Sequence, residues 1–251
     1  MRQPLQWIRW PAFLSAVEFL TIIPCGGRYA FDAGTAIPFY PLVGLLLGTV
    51  LVGIHALSAL LWPVPVVALL DVIGLAVLTG ALHLDGLADT ADGLYGHRTP
   101  EQSLAIMKDS RVGAMGAISV IFCLAAKWAG IACLDDHRAV WLLLAPAYAR
   151  GAILFGIRFL PYGRPEGGTA HTHFQNPLTK RDFWGIGLLV AISLFSGQAL
   201  LVLNLGFAVV VFTILRWYQK KIQCVTGDML GALVEVTEAA LFLIGAVQWG
   251  G

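Results

Sequence analysis

Apolar residues fall into long runs along this chain. Runs of the length a membrane-crossing helix needs, ~20 residues, lie at about 38–62, 65–84, 113–134, 139–158 and 231–249. The stretch from Phe183 to Leu215 holds 33 residues without a charge. That is too long for one comfortable span and just long enough for two short ones, with Ser196, Gly197 and Gln198 offering a turn near its middle. Residues 1–35 read differently. Trp7, Ile8, Trp10, Phe13, Leu14, Val17, Phe19 and Leu20 recur at near-helical spacing, with Arg2, Arg9 and Glu18 among them. This pattern predicts an interfacial amphipathic helix with aromatic anchors.

Composition agrees. Hydrophobic residues make up 58% of the 251 and charged residues 12%, about half the ~25% of a soluble domain, so most of the surface is expected to face lipid. Charge placement supplies orientation. With the N-terminus cytoplasmic and Phe183–Leu215 folded as a hairpin, the inside segments are 1–37, 85–112, 158–182 and 216–230. They carry 13 of the 16 Lys and Arg; Arg138 lies outside, and Lys127 and Arg150 fall within spans. That is a strong positive-inside bias. The expected fold is all-α: a polytopic transmembrane helical bundle of about seven spans plus the N-terminal interfacial helix, forming one integral membrane catalytic domain over 1–251. The net charge of +1 and the lack of a Lys/Arg tract argue against nucleic acid as a partner. Cys25, Cys123, Cys133 and Cys224 form no CxxC pair and read as small apolar fillers. No removable signal peptide is evident at the N-terminus. The one long polar connection rich in Gly and Pro is 161–182, a kind of loop that is often functional.

Chemistry concentrates where the second run ends, at His83-Leu84-Asp85-Gly86-Leu87-Ala88-Asp89-Thr90-Ala91-Asp92-Gly93-Leu94. Asp85, Asp89 and Asp92 stand at i, i+4 and i+7, on one face of a helix. Stacked carboxylates repel one another unless a hard divalent cation sits between them, and magnesium takes one or two carboxylates plus substrate phosphates. Gly86, Ala88 and Gly93 leave that face bare for a bulky ligand; the plainer reading is a solvated acidic helix end. In Met107-Lys108-Asp109-Ser110-Arg111-Val112-Gly113-Ala114-Met115-Gly116, Lys108 and Arg111 are cationic donors suited to phosphate. Asp109 is a candidate ligand or general base, and Gly113 and Gly116 can bring backbone N–H groups to an anion. A third string, Thr226 to Glu238, sets Asp228, Glu235 and Glu238 on one helical face. Glu235 and Glu238 lie inside the last span, where ionisable groups mark a functional interior or a partnered pair; their nearest candidates for pairing are Lys127 and Arg150. Asp71, Glu18, His83, His171 and His173 with Gln175 and Asn176 are lesser candidates, each with a structural alternative.

The strings HLDGLADTADGL, MKDSRVGAMG and TGDMLGALVEVTEA, with FLTIIP and PFYPLVGLLLG before them, closely resemble the cobalamin synthase family, over nearly the whole chain. A basic residue is commoner in that family where this chain has Ile22. The resemblance implies a magnesium-dependent enzyme of the bacterial inner membrane, with cytoplasmic catalytic loops, that acts late in vitamin B12 assembly. It implies that adenosylcobinamide-GDP is joined to α-ribazole or its 5′-phosphate with release of GMP. Carried over residue by residue, Asp85, Asp89, Asp92 and Asp228 would hold Mg2+ on the diphosphate. Lys108 and Arg111 would neutralise phosphate charge, Asp89 or Asp109 would take the hydroxyl proton, and His83, Gly86, Gly93, Gly113, Gly116, Glu235 and Glu238 would line the substrate. The implied partners are those two substrates and the lipid bilayer, with other B12-assembly enzymes and a second copy of the chain as further candidates.

Two other readings compete. A membrane alcohol phosphotransferase or prenyltransferase of lipid metabolism also binds magnesium on aspartate-rich helices, but spaces its acids differently. An ion transporter would line a path with Glu18, Asp71, Glu235 and Glu238, and should show paired broken spans or repeat halves; none is visible in the sequence.

Overall fold

A computed structural model describes residues 10–26, 32–134, 137–164, 167, 170–194 and 199–247. Among them the regular elements are all helical: α1 (Trp10–Leu20), α2 (Ala33–Ala36), α3 (Tyr40–Ser58), α4 (Val64–Leu78), α5 (Leu82–Leu94), α6 (Pro100–Ile106), α7 (Ala114–Ala132), α8 (Arg138–Phe159), α9 (Trp184–Ser193), α10 (Ala199–Lys221) and α11 (Gly227–Gly245). Short 3-10 turns sit at Ile37–Phe39, His171–Phe174 and Lys180–Phe183.

Helices α3, α4, α7, α8, α9, α10 and α11 fall on the seven expected spans. By length and composition, four segments can cross a membrane: Ala33–Ser58, Ala114–Ala132, Arg138–Phe159 and Leu201–Lys221. A fifth is added if α4 and α5 count as one bent span. The shortfall has physical causes: α9 has only 10 residues, and α11 carries three acids. The turn expected at Ser196–Gln198 lies outside the described residues, as do Arg2, Trp7, Ile8 and Arg9.

One expected boundary moves. The second apolar run continues to Leu84, but α4 stops at Leu78 and α5 leaves it at 89°. Gly80 and Ala81 take φ of 57° and 56°, a left-handed conformation that is free for glycine and costs about 1–2 kcal/mol for alanine. The break is made by the backbone, so no change of polarity marks it, and α5 does not continue the axis of α4. At the N-terminus, α1 docks on the body. Ala12, Ser15, Ala16, Val17 and Leu20 are buried, while Trp10 is 69% exposed.

The interior is held by charge as well as by apolar packing. Lys127 of α7 places Nζ 2.6 Å from both Glu235 Oε2 and Glu238 Oε1 of α11. Arg150 of α8 pairs with the other oxygen of Glu238. All four side chains are buried, so three helices are joined where an unpaired ion would be prohibitive. A second pair, His55 Nδ1 to Asp71 Oδ2 at 2.6 Å, joins α3 to α4, with Asp71 buried and His55 half-buried. Arg150→Met should lower stability by about 3–5 kcal/mol because Glu238 loses a partner. Adding Glu238→Gln should restore part of that loss, read as the thermal unfolding midpoint in detergent.

Candidate active site

Helix α5 is buried on every side but one. From His83 to Leu94 only Asp85, Asp89 and Asp92 keep solvent access, so the i, i+4, i+7 spacing becomes one acidic stripe on a packed helix. Helix α11 crosses α5 at Gly86. A Cβ there would stand 2.7 Å from the backbone oxygen of Asp228 and 3.0 Å from its Cα. The bare face expected to receive a ligand therefore receives a neighbouring helix at Gly86, and that approach brings Asp228 to the acidic stripe. Asp228 lies in the first turn of α11, whose N-cap Thr226 accepts from the Met229 N–H at 3.3 Å.

The electrostatics record the crowding. Burial pushes the Asp89 carboxyl up to about 6, with Asp85, Asp228 and Asp92 adding to the rise and Arg164 opposing it. Burial also raises Asp228, while Arg164, at 2.8 Å, pulls it down. Among the described residues no three His, Cys, Asp or Glu side chains stand close enough to hold an ion by themselves.

Asp92 faces the start of α7. Its carboxylate oxygens accept from the N–H groups of Gly113 at 2.6 Å and Gly116 at 2.9 Å. The anion anticipated at those amides is thus a side chain of α5, placed where the helix dipole favours negative charge. Gly93 makes room for Met107: a Cβ on it would lie 2.5 Å from Met107 Cγ. Basic residues tie down the loop after α5, with Arg98 donating to the Asp92 backbone carbonyl and Lys221 Nζ donating to the Gly96 carbonyl at 2.6 Å.

Other expected residues stand apart from the stripe. Asp109 is held by Arg111, with a shortest contact of 2.5 Å, and that guanidinium keeps its carboxyl down near 2, which makes it a weak base. Lys108 is exposed. Glu235 and Glu238 are buried and pair with Lys127 and Arg150, the alternative the sequence left open. His83 is buried against Gly231 of α11. His173 bonds the Tyr40 hydroxyl at 2.6 Å, and Glu18 accepts from the Cys25 N–H at 2.9 Å. With Asp71 on His55 as well, the four acids suggested for an ion path fall into three separate groups, Glu18, Asp71 and the Glu235–Glu238 pair on Lys127.

Sequence reasoning passed over Arg164. Set in the Gly/Pro-rich loop 161–182, it reads in the sequence only as one more contributor to the positive-inside bias, although the loop itself is of a kind that is often functional.

A family model described as cobalamin-5-phosphate synthase matches residues 12–246. The chain belongs to this family. It is 36% identical to an adenosylcobinamide-GDP ribazoletransferase of Roseiflexus sp. (strain RS-1), covering 94% of this chain and 90% of the relative. Relatives of the same name from Thermosynechococcus vestitus and Geotalea daltonii are 37% and 38% identical, each covering 95% of this chain and 98% of the relative. No solved structure matches the chain. The strings that span Asp85–Asp92, Asp109–Gly116 and Asp228–Glu238 all lie within the matched residues.

The raised Asp89 carboxyl has a measurable consequence. An unfolded aspartate titrates near 3.9, so between about pH 4 and pH 6 the folded protein keeps a proton the unfolded chain has lost, and rising pH lowers stability. In chelator-treated protein, the wild-type unfolding midpoint should therefore fall relative to that of Asp89→Asn across this window, and the two should run parallel above it.

Proposed function

We propose that this chain joins adenosylcobinamide-GDP to α-ribazole or its 5′-phosphate and releases GMP, as a magnesium-dependent transferase of the bacterial inner membrane with its acidic site facing the cytoplasm. The observation that carries the reading is the meeting of Asp228 with the Asp85–Asp89 stripe across Gly86. Acids from two separate segments repel one another there, as a hard cation would relieve. Magnesium fits the donor set: all are carboxylate oxygens, and it takes one or two of them while substrate phosphates and water complete its shell. Asp85 and Asp228 would hold it, and when bound it would neutralise charge on the diphosphate. Asp92, spent on the start of α7, contributes charge and position.

The chain's own residues then divide the work of the transfer. A ribose hydroxyl of α-ribazole attacks the phosphorus attached to the cobinamide arm. A new P–O bond forms there, the P–O bond to the GMP leaving group breaks, and GMP departs opposite the nucleophile. Asp89, with its carboxyl pushed up to about 6, is better suited to accept the hydroxyl proton than Asp109, held near 2. Lys108, exposed on the 107–113 segment, would offer a cation to the phosphates, and Arg111 a second once it leaves Asp109. Positioning and charge stabilisation, rather than a covalent intermediate, supply the rate.

Purified protein in liposomes should release GMP from adenosylcobinamide-GDP only when α-ribazole or its 5′-phosphate and magnesium are both present. Asp89→Asn and Asp228→Asn should each lower turnover by about 100-fold or more. Full magnesium-dependent turnover by Asp89→Asn would remove the proposed site.

A further inference from the structure

We propose that Arg164 grips the substrate diphosphate, and that Asp228 holds its guanidinium in reserve until a divalent cation takes over that carboxylate's charge. This deepens the function proposed above and rests on it.

The position of Arg164 is built into the backbone. After α8 ends, Val225 N donates to the Pro161 carbonyl and Gly163 N to the Val225 carbonyl, both at 2.9 Å, forming an isolated parallel bridge between Tyr162 and Val225. The fit is close, since a Cβ on Gly163 would stand 2.7 Å from Cys224 Sγ. The segment bearing Arg164 is thereby registered against the turn that leads into Asp228.

The guanidinium is engaged by charge but not satisfied. Its Nη2 stands 2.8 Å from Asp228 Oδ2, yet Nε and Nη2 are both closed from water and lack a hydrogen-bond partner of proper geometry. Those two nitrogens form the side-on edge of the fork, the edge that takes two oxygens of a phosphoryl group in parallel bonds. Arg164 also acts on Asp89, whose carboxyl it pulls down against the neighbouring acids. Among the described residues it is therefore the cation set against Asp89 and Asp228. A divalent cation on Asp228 would compete with it, and the released guanidinium would then have its fork free for a diphosphate held by the same metal.

This arrangement predicts effects of opposite sign, which a merely structural role would not produce. Mn2+ serves as the probe, its binding followed by electron paramagnetic resonance in detergent-purified full-length protein. Arg164→Gln should bind Mn2+ about fivefold more tightly than wild type, because a competing charge has gone. The same variant should raise KM for adenosylcobinamide-GDP about tenfold or more, with a smaller change in kcat. Arg164→Lys, which keeps the charge without the fork, should leave Mn2+ affinity within about twofold of wild type and still raise KM. Unchanged or weaker Mn2+ binding by Arg164→Gln, or a KM within twofold of wild type, overturns the inference. Wild-type protein that binds no Mn2+ and releases no GMP overturns the parent reading and this one with it.

Discussion

An ion in an apolar interior must meet its opposite, and the positions of α7, α8 and α11 follow from that constraint. Lys127 and Arg150 are the only basic residues expected within spans, and both converge on Glu235 and Glu238. Buried ion pairs of this kind are poor sources of net stability but strong sources of position, since each displaced partner leaves an uncompensated charge behind. Helix α11 is thus drawn into the centre of the bundle by acids near its middle. Its first turn, which bears Asp228, is carried to the crossing with α5 as a consequence. The catalytic proposal depends on this interior as much as on the residues at the surface.

Helix α5 is the complement of that arrangement. From His83 to Leu94 its neighbours bury it everywhere except along Asp85, Asp89 and Asp92, so its acids share its one open face. The left-handed turn at Gly80–Ala81 lets α5 lie across α4 rather than extend it. At its far end, Asp92 spends its charge on the first turn of α7. The stripe is therefore not uniform: one acid fixes a helix, and the others face Asp228 and Arg164. Within the stripe, burial and the neighbouring acids push the Asp89 carboxyl up to about 6, whereas Asp109, apart from the stripe, is held near 2 by Arg111.

Much of the fold could be read from the chain. Long apolar runs place the helices because a lipid-facing helix needs little more than length and the absence of charge. The D-x3-D-x2-D spacing places three acids on one face because helical geometry is periodic. Lys127 and Arg150 could be named as partners for Glu235 and Glu238 because an unpaired ion in such surroundings is excluded on energetic grounds alone. The break at Gly80–Ala81 could not be read, since the residues on both sides are apolar and only the backbone changes. Arg164 was equally silent: a single arginine in a polar loop looks the same whether it answers topology or binds a ligand.

The sequence by itself determined the helical membrane class, the acidic stripe and the interior ions, because each follows from local periodicity or from the cost of an isolated charge. The tertiary structure alone decided which acids meet. Asp228 comes to Asp89 across Gly86, Asp92 goes to α7, and Arg164 is brought to Asp228 by a bridge to Val225. Those encounters join residues far apart in the chain, and helix crossings and loop registers, which no local pattern encodes, set the distances between them.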